Sequence, residues 1–171
     1  IDREFGQAYI KSQIAAGQNL PKKGNVFISV RDKDKRDMVF VAKKLEECGF
    51  RIYATSGTAS AFAKNGIKVS VLPKILEGRP NVLDLMKDGR IQLVINTPSG
   101  RIPRQDELKI RSQVITYNIP YTTTLSGAQA TVNGMEAMIK RDLRVKPLQE
   151  YYKAKVPKAK PRKQRRGLMR V

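Results

Sequence analysis

The stretch Val26-Phe27-Ile28-Ser29-Val30-Arg31-Asp32-Lys33-Asp34-Lys35 decides the fold. An apolar run of strand length meets a block of charge, and beyond it Met38, Val41, Ala42, Leu45 and Cys48 recur at helical spacing until Gly49 stops the pattern. A buried strand feeding a helix through a short polar loop is the first half of a βαβ unit. The same phrase repeats downstream. Phe50 to Ala54 reads as a second strand, Thr58 to Lys64 as a short helix closed by Asn65-Gly66, and Lys68 to Leu72 as a third strand ended by Pro73. Asn81 to Asp88 reads as two helical turns, and Ile91 to Asn96 as a fourth strand apolar enough to be central and buried on both faces. Gln105 to Tyr117 is helical in pattern, Tyr121 to Thr123 is a short fifth strand after Pro120, and a last helix runs from Ser126, its expected cap, to Arg141. Together these predict an α/β fold, an open, doubly wound, Rossmann-like three-layer sandwich of about five parallel strands.

Outward from this centre the chain changes character. Phe5 to Ala16 reads as an amphipathic helix followed by the turn residues Gly17, Asn19 and Pro21. We expect residues 1–23 to be the end of a preceding domain plus a linker, outside the core, and the chain, which starts at Ile1, to be a piece of something longer. Residues 24–145 form the expected α/β domain. Residues 146–171 include KAKVPKAKPRKQRR, rich in Lys, Arg and Pro and poor in apolar side chains, and are expected to be disordered from Pro147 on.

The 171 residues suffice for one domain with a core, not for two. Histidine is absent and cysteine occurs once, which excludes an internal disulfide, Cys/His zinc sites and Ser/His or Cys/His catalysis. Cys48 falls on the apolar stripe of its helix and reads as a packing residue. Neither a secretory signal nor an apolar run of about 18 residues is present, so a cytoplasmic protein without a membrane partner is expected. The net charge is +19, of which +10 lies from Arg141 onward. Charge in that tail could attract polyanions, but its only aromatics are Tyr151 and Tyr152, too few for a base-stacking platform.

The chemistry-bearing residues follow the strands. Arg31 to Lys35 place cations at a helix start, and Thr55-Ser56-Gly57-Thr58 set two hydroxyls around a glycine at another, where anions are favoured. Lys74 follows strand three, and Asn96-Thr97-Pro98-Ser99-Gly100-Arg101 follow strand four. Each stretch alone reads as a cap, a turn or a solvated face. All four, however, fall at the carboxyl edge of the sheet, which is where such folds bind ligands, and their chemistry suits a phosphate.

In order and spacing, FISVRDKDK, YATSGTA, LPKILEGRPN, LVINTPSGR and YTTTLSGAQAT resemble the methylglyoxal synthase-like regulatory domain of carbamoyl phosphate synthetase large subunits, from about Gly24 to Lys140. The preceding IDREFGQAYIKSQIAAG resembles the end of the adjoining ATP-grasp synthetic domain. The resemblance implies a regulatory domain with no catalytic residues, metal or cofactor of its own. In bacterial members it binds UMP as inhibitor and IMP as activator, and it transmits the effect to carbamoyl phosphate synthesis for pyrimidines and arginine. The parent ligase would use ATP and Mg, and the partners would be the synthetic domains of the same subunit and, through them, a glutaminase small subunit. By motif position the effector would meet Lys35, Thr55, Gly57, Thr58, Lys74, Asn96, Thr97 and Ser99, while Tyr121 and Thr123 would occupy the ornithine-binding interface positions. Two positions depart from the bacterial pattern: Pro98 replaces a threonine and Ser56 a histidine.

Three rival readings compete with this one. Methylglyoxal synthase shares the fold, but its catalytic aspartate would fall at Arg79 in Glu77-Gly78-Arg79-Pro80-Asn81, and its pocket histidines have no counterpart. Inosine monophosphate cyclohydrolase has a longer signature after strand three that is missing here. Nucleic-acid or other polyanion binding would rest on tail charge alone.

Overall fold

The computed structural model describes residues 1–98 and 105–152. Its elements run α1 (Phe5–Ala15), β1 (Asn25–Ser29), α2 (Lys35–Glu47), β2 (Arg51–Thr55), α3 (Ser56–Ala63), β3 (Val69–Leu72), α4 (Val82–Lys87), β4 (Leu93–Asn96), α5 (Gln105–Thr116), β5 (Tyr121–Thr122), α6 (Leu125–Lys140) and α7 (Leu148–Tyr152). The strands make one parallel sheet in the order β3-β2-β1-β4-β5. Val26 of β1 pairs with Ile52 of β2 on one side and Leu93 of β4 on the other. The chain thus winds from β1 out to β3, then restarts on the opposite side at β4, and a crevice opens where that order reverses.

Residue alternation builds both outer layers. Val26, Ile28, Ile52, Ala54, Leu93 and Ile95 point to a core shared with α1, α2, α3 and α6, while Phe27 and Val94 point to a second core with α4 and α5. β4 is buried along its whole length, as its apolar run predicts. Gly49 ends α2 with a positive φ, so that Phe50 N–H reaches Leu45 O and Gly49 N–H reaches Glu46 O, the Schellman arrangement that turns the chain straight into β2. Asn81 caps α4 with a reciprocal box: its side chain accepts from Leu83 N–H, and Asp84 accepts from Asn81 N–H.

Three expectations need correction. Helix α1 does not stay outside the core. Ile10 is 1% exposed, and with Leu20 it belongs to the buried cluster that includes Val132 and Met135 of α6. Glycine permits the contact: a Cβ on Gly6 would lie 2.8 Å from Ala137 Cβ, and one on Gly134 would lie 3.0 Å from Tyr9 Cδ1. Tyr9 and Thr131 hydroxyls, 3.0 Å apart, and Gln7 donating to Ala137 O satisfy the polar groups in the seam. Second, the cap of α6 is Thr124, whose hydroxyl accepts from Gly127 N–H, while Ser126 lies inside the helix. Both residue types cap well, and only the position of the first helical turn chooses between them. Third, within the segment expected to be disordered, Leu148–Tyr152 form α7, while residues 153–171 lie outside the described residues. Lys11 explains the order at α7, since its ammonium binds Asp2, Arg144 O and the Tyr151 hydroxyl together.

Candidate functional site

At the carboxyl edge of the sheet the loops after β1, β2, β3 and β4 enclose a cavity of about 740 Å³. This lies within the usual range of about 300–1,000 Å³ for small-molecule sites. Phe27, Ile75, Val82 and Ile110 give it an apolar wall, and Lys35 and Lys74 bring cations from loops on separate strands.

The β2–α3 loop builds the anion-attracting end. Thr55 is the N-cap of α3 but its side chain makes no capping bond, so the first N–H groups of the helix are left for solvent or a ligand. A Cβ on Gly57 would sit 3.0 Å from the Lys35 ammonium, so glycine lets that charge lie directly over the helix start. Thr55 Oγ1 is 3.4 Å from both Ser29 Oγ and Thr58 Oγ1.

Two of the expected ligand-orienting hydroxyls have internal work. Thr58, 1% exposed, accepts from Val30 N–H at 3.2 Å, and Thr97, 2% exposed, accepts from Arg31 N–H at 3.1 Å. They stitch the post-β1 loop to its neighbours on both sides. Arg31 is held in addition by Asp34, a buried carboxylate 2.7 Å from its Nε. The result is a braced rim rather than a loose loop.

Two buried polar atoms in the lining have no partner among the described residues, the Asn96 amide nitrogen and Asp106 Oδ1. An unpaired buried donor and an unpaired buried acceptor each cost about 1–3 kcal/mol, so a ligand or water with both kinds of group is favoured there. Asp106 and Glu107 belong to the first turn of α5 and give the cavity carboxylates that reading the sequence passed over. Acidic residues at a helix start are so common for dipole reasons that nothing local marks these two.

Of the residues singled out from the sequence, Lys35, Thr55, Gly57, Thr58, Lys74, Asn96 and Thr97 all line this cavity. Ser99 lies outside the described residues. Tyr121 and Thr123 are not in the lining: β5 is the edge strand beyond β4, with Tyr121 half-buried against the α4–α5 core. Cys48 packs against the other core, and burial raises its thiol pKa, away from the reactive thiolate form. No cluster of three or more metal-ligating side chains occurs among the described residues, and none of their helices is long and apolar enough to cross a membrane.

Residues 37–123 match the family model described as MGS-like domain. The chain is 48% identical over 153 residues to the carbamoyl phosphate synthase large chain of Archaeoglobus fulgidus, an alignment covering 89% of this chain and 14% of that one. It is 49% identical over 151 residues to the C-terminal section of that large chain from Methanocaldococcus jannaschii, covering 88% and 24%. For the C-terminal section from Aquifex aeolicus the values are 45% over 157 residues, covering 89% and 29%. The chain thus spans a small fraction of each relative. Among solved structures, methylglyoxal synthase from Elizabethkingia anophelis superposes with a TM-score of 0.54 at 16% identity, over 82% of this chain and 97% of that one, a likeness of fold.

Proposed function

The chain belongs to the MGS-like domain family, and from that premise we propose that it is the regulatory domain of a carbamoyl phosphate synthase large chain. Its carboxyl-edge cavity takes a nucleoside monophosphate of the UMP or IMP type. The names of its relatives support the parent enzyme. The observation that carries the ligand is the mixed lining of one cavity. Lys35, Lys74 and the uncapped start of α3 suit a phosphate. The cavity's apolar side chains suit a base, with Asp106 Oδ1 to accept from a sugar hydroxyl or a base N–H and the Asn96 amide to donate.

In this proposal the domain catalyses nothing. It acts in the cytosol on the ATP- and Mg-dependent synthetic domains of its own subunit, and through them on a glutaminase small subunit. An effector alters distant catalysis only by binding two states of the whole enzyme unequally, so the cavity must be coupled to a surface facing the rest of the large chain. Tyr121 and Thr123 are the candidates at the sheet edge. The seam of α1 on α6 provides a stiff route toward whatever precedes residue 1 in the longer relatives, because α6 starts directly after β5.

Calorimetric titration of the 171-residue chain with UMP, IMP and UTP, and with uridine as the phosphate-free comparison, tests the proposal. Saturable binding of a nucleotide with no heat from uridine is the expected outcome. Equal binding of uridine and UMP would remove the phosphate from the account, and no binding of any nucleotide would remove the proposal.

A further inference from the structure

Both cavity lysines already have a carboxylate partner three residues away. Lys35 Nζ is 2.7 Å from Asp32 Oδ1, and Lys74 Nζ is 2.9 Å from Glu77 Oε1. The two pairs sit on different loops, after β1 and after β3, so the arrangement is duplicated around the cavity. Asp32 lines the cavity beside Lys35, whereas Glu77 pairs with Lys74 from outside the lining. Glu77 also accepts from Lys74 N–H through its second oxygen, a bond it can keep when the ammonium leaves.

We infer that Asp32 and Glu77 are built-in competitors for the ligand's phosphate, and that binding is an ion exchange in which a dianionic phosphoryl group replaces two carboxylates on Lys35 and Lys74. The inference rests on the cavity being a phosphate site. Charge balance favours it, since one dianion takes over two cations and releases two monoanions. Exposure decides that these pairs can open. The Asp32 side chain is 95% exposed and both members of the Lys74–Glu77 pair are 52% exposed, so each freed carboxylate is rehydrated at once. The neighbouring Arg31–Asp34 pair is the contrast: Asp34 is 11% exposed at its side chain, and releasing it would bury a charge without a partner. That pair is structural, and the other two are exchangeable. The consequence for specificity is that ligands with a single negative charge cannot drive both exchanges.

Asp32→Asn and Glu77→Gln keep the size and an oxygen acceptor while removing the charge, and Glu77→Gln keeps the backbone acceptor that shapes its loop. Titrating the 171-residue chain with UMP and with inorganic phosphate should show each variant binding about two- to fivefold more tightly than the parent, and the double variant more tightly still. Asp88→Asn, an exposed charge after α4 at the opposite edge of the sheet, is the matched control and should bind like the parent. Variants that bind no better than the parent, or an Asp88→Asn gain of the same size, would overturn the exchange while leaving a nucleotide site in place. Absence of binding by the parent and by every variant would remove the nucleotide reading and this inference with it.

Discussion

Replacing Ile10 by alanine asks whether α1 is part of this domain or a passenger. Ile10 is 1% exposed, and its Cγ1 and Cδ1 lie 3.2 and 3.3 Å from where a Cβ on Gly134 would stand, so the side chain fills the α1–α6 seam without slack. The change deletes three carbons, about 2.4 kcal/mol at roughly 0.8 kcal/mol per buried methylene. Rigid glycine contacts keep α6 from closing the gap, so a cavity penalty adds to this and an expected loss of about 3–4 kcal/mol results, inside the range of about 2–5 for such substitutions. That would remove a large part of the roughly 5–15 kcal/mol that holds a domain together, and would lower Tm by about 6–16 °C. Urea unfolding followed by far-ultraviolet circular dichroism measures it. Ile14→Ala, on the solvent side of the same helix at 47% exposure, should change stability by less than about 0.5 kcal/mol. If Ile10→Ala unfolds at the parent's midpoint with the parent's slope, α1 is not part of the cooperative unit and its assignment to the core is refuted.

Glu136 bridges α6 to α2 through Lys140 and Lys44, and the hydrogen bond from Lys140, then that from Lys44, hold its carboxyl below the ordinary value of 4.5. A depressed carboxylate stabilises the fold above its unfolded pKa and loses that contribution as pH falls through the folded one, so Glu136→Gln should flatten the acid limb of a stability-versus-pH curve below about 4.5 and leave the neutral limb's shape unchanged. Under the proposed function, Tyr121→Phe or Thr123→Val should keep the isolated domain's effector affinity within about twofold while reducing, in the full large chain, the effector's influence on ATP use, since coupling energies of about 1–3 kcal/mol are of the size of one or two hydrogen bonds. Paired binding and activity titrations decide it, and full response with full affinity in both variants would move the coupling surface to α1. The purified chain should release no methylglyoxal from dihydroxyacetone phosphate above a heat-treated control, because the motif resemblance implies Arg79 where the lyase would have its aspartate, and the sequence contains no histidine.

The sheet was legible because its strands are short, apolar and separated by helices with clean stops: Gly49 announces its turn, and β4 announces its burial. The cavity's cationic end was legible for the same reason, since a parallel sheet sends every post-strand loop to one edge. The α1–α6 seam was not. Gly6 weakens a helical pattern when read along the chain, and its use as a contact point exists only once α6 lies against it. For Thr58 and Thr97 the sequence shows a hydroxyl beside a post-strand loop but not its internal partner: tertiary packing gives each a backbone N–H of the post-β1 loop to accept from, while both line the cavity. Asp106 and Glu107 escape a reading along the chain because their place in the cavity lining depends on where α5 docks, a relation between elements that no local pattern records. The same holds for Glu77, whose role comes from a lysine it partly neutralises.

In the proposed function two cations from different loops hold one phosphate in the carboxyl-edge cavity. Calorimetric titration of UMP and IMP into the parent and into Lys35→Ala, Lys74→Ala and the double variant, with circular dichroism confirming that all four are folded, measures this. Each charge-assisted contact is worth about 1.5–3 kcal/mol, so each single variant should weaken the bound nucleotide by at least about tenfold, and the double variant should lose measurable binding. A folded double variant that binds UMP or IMP as tightly as the parent would contradict the account.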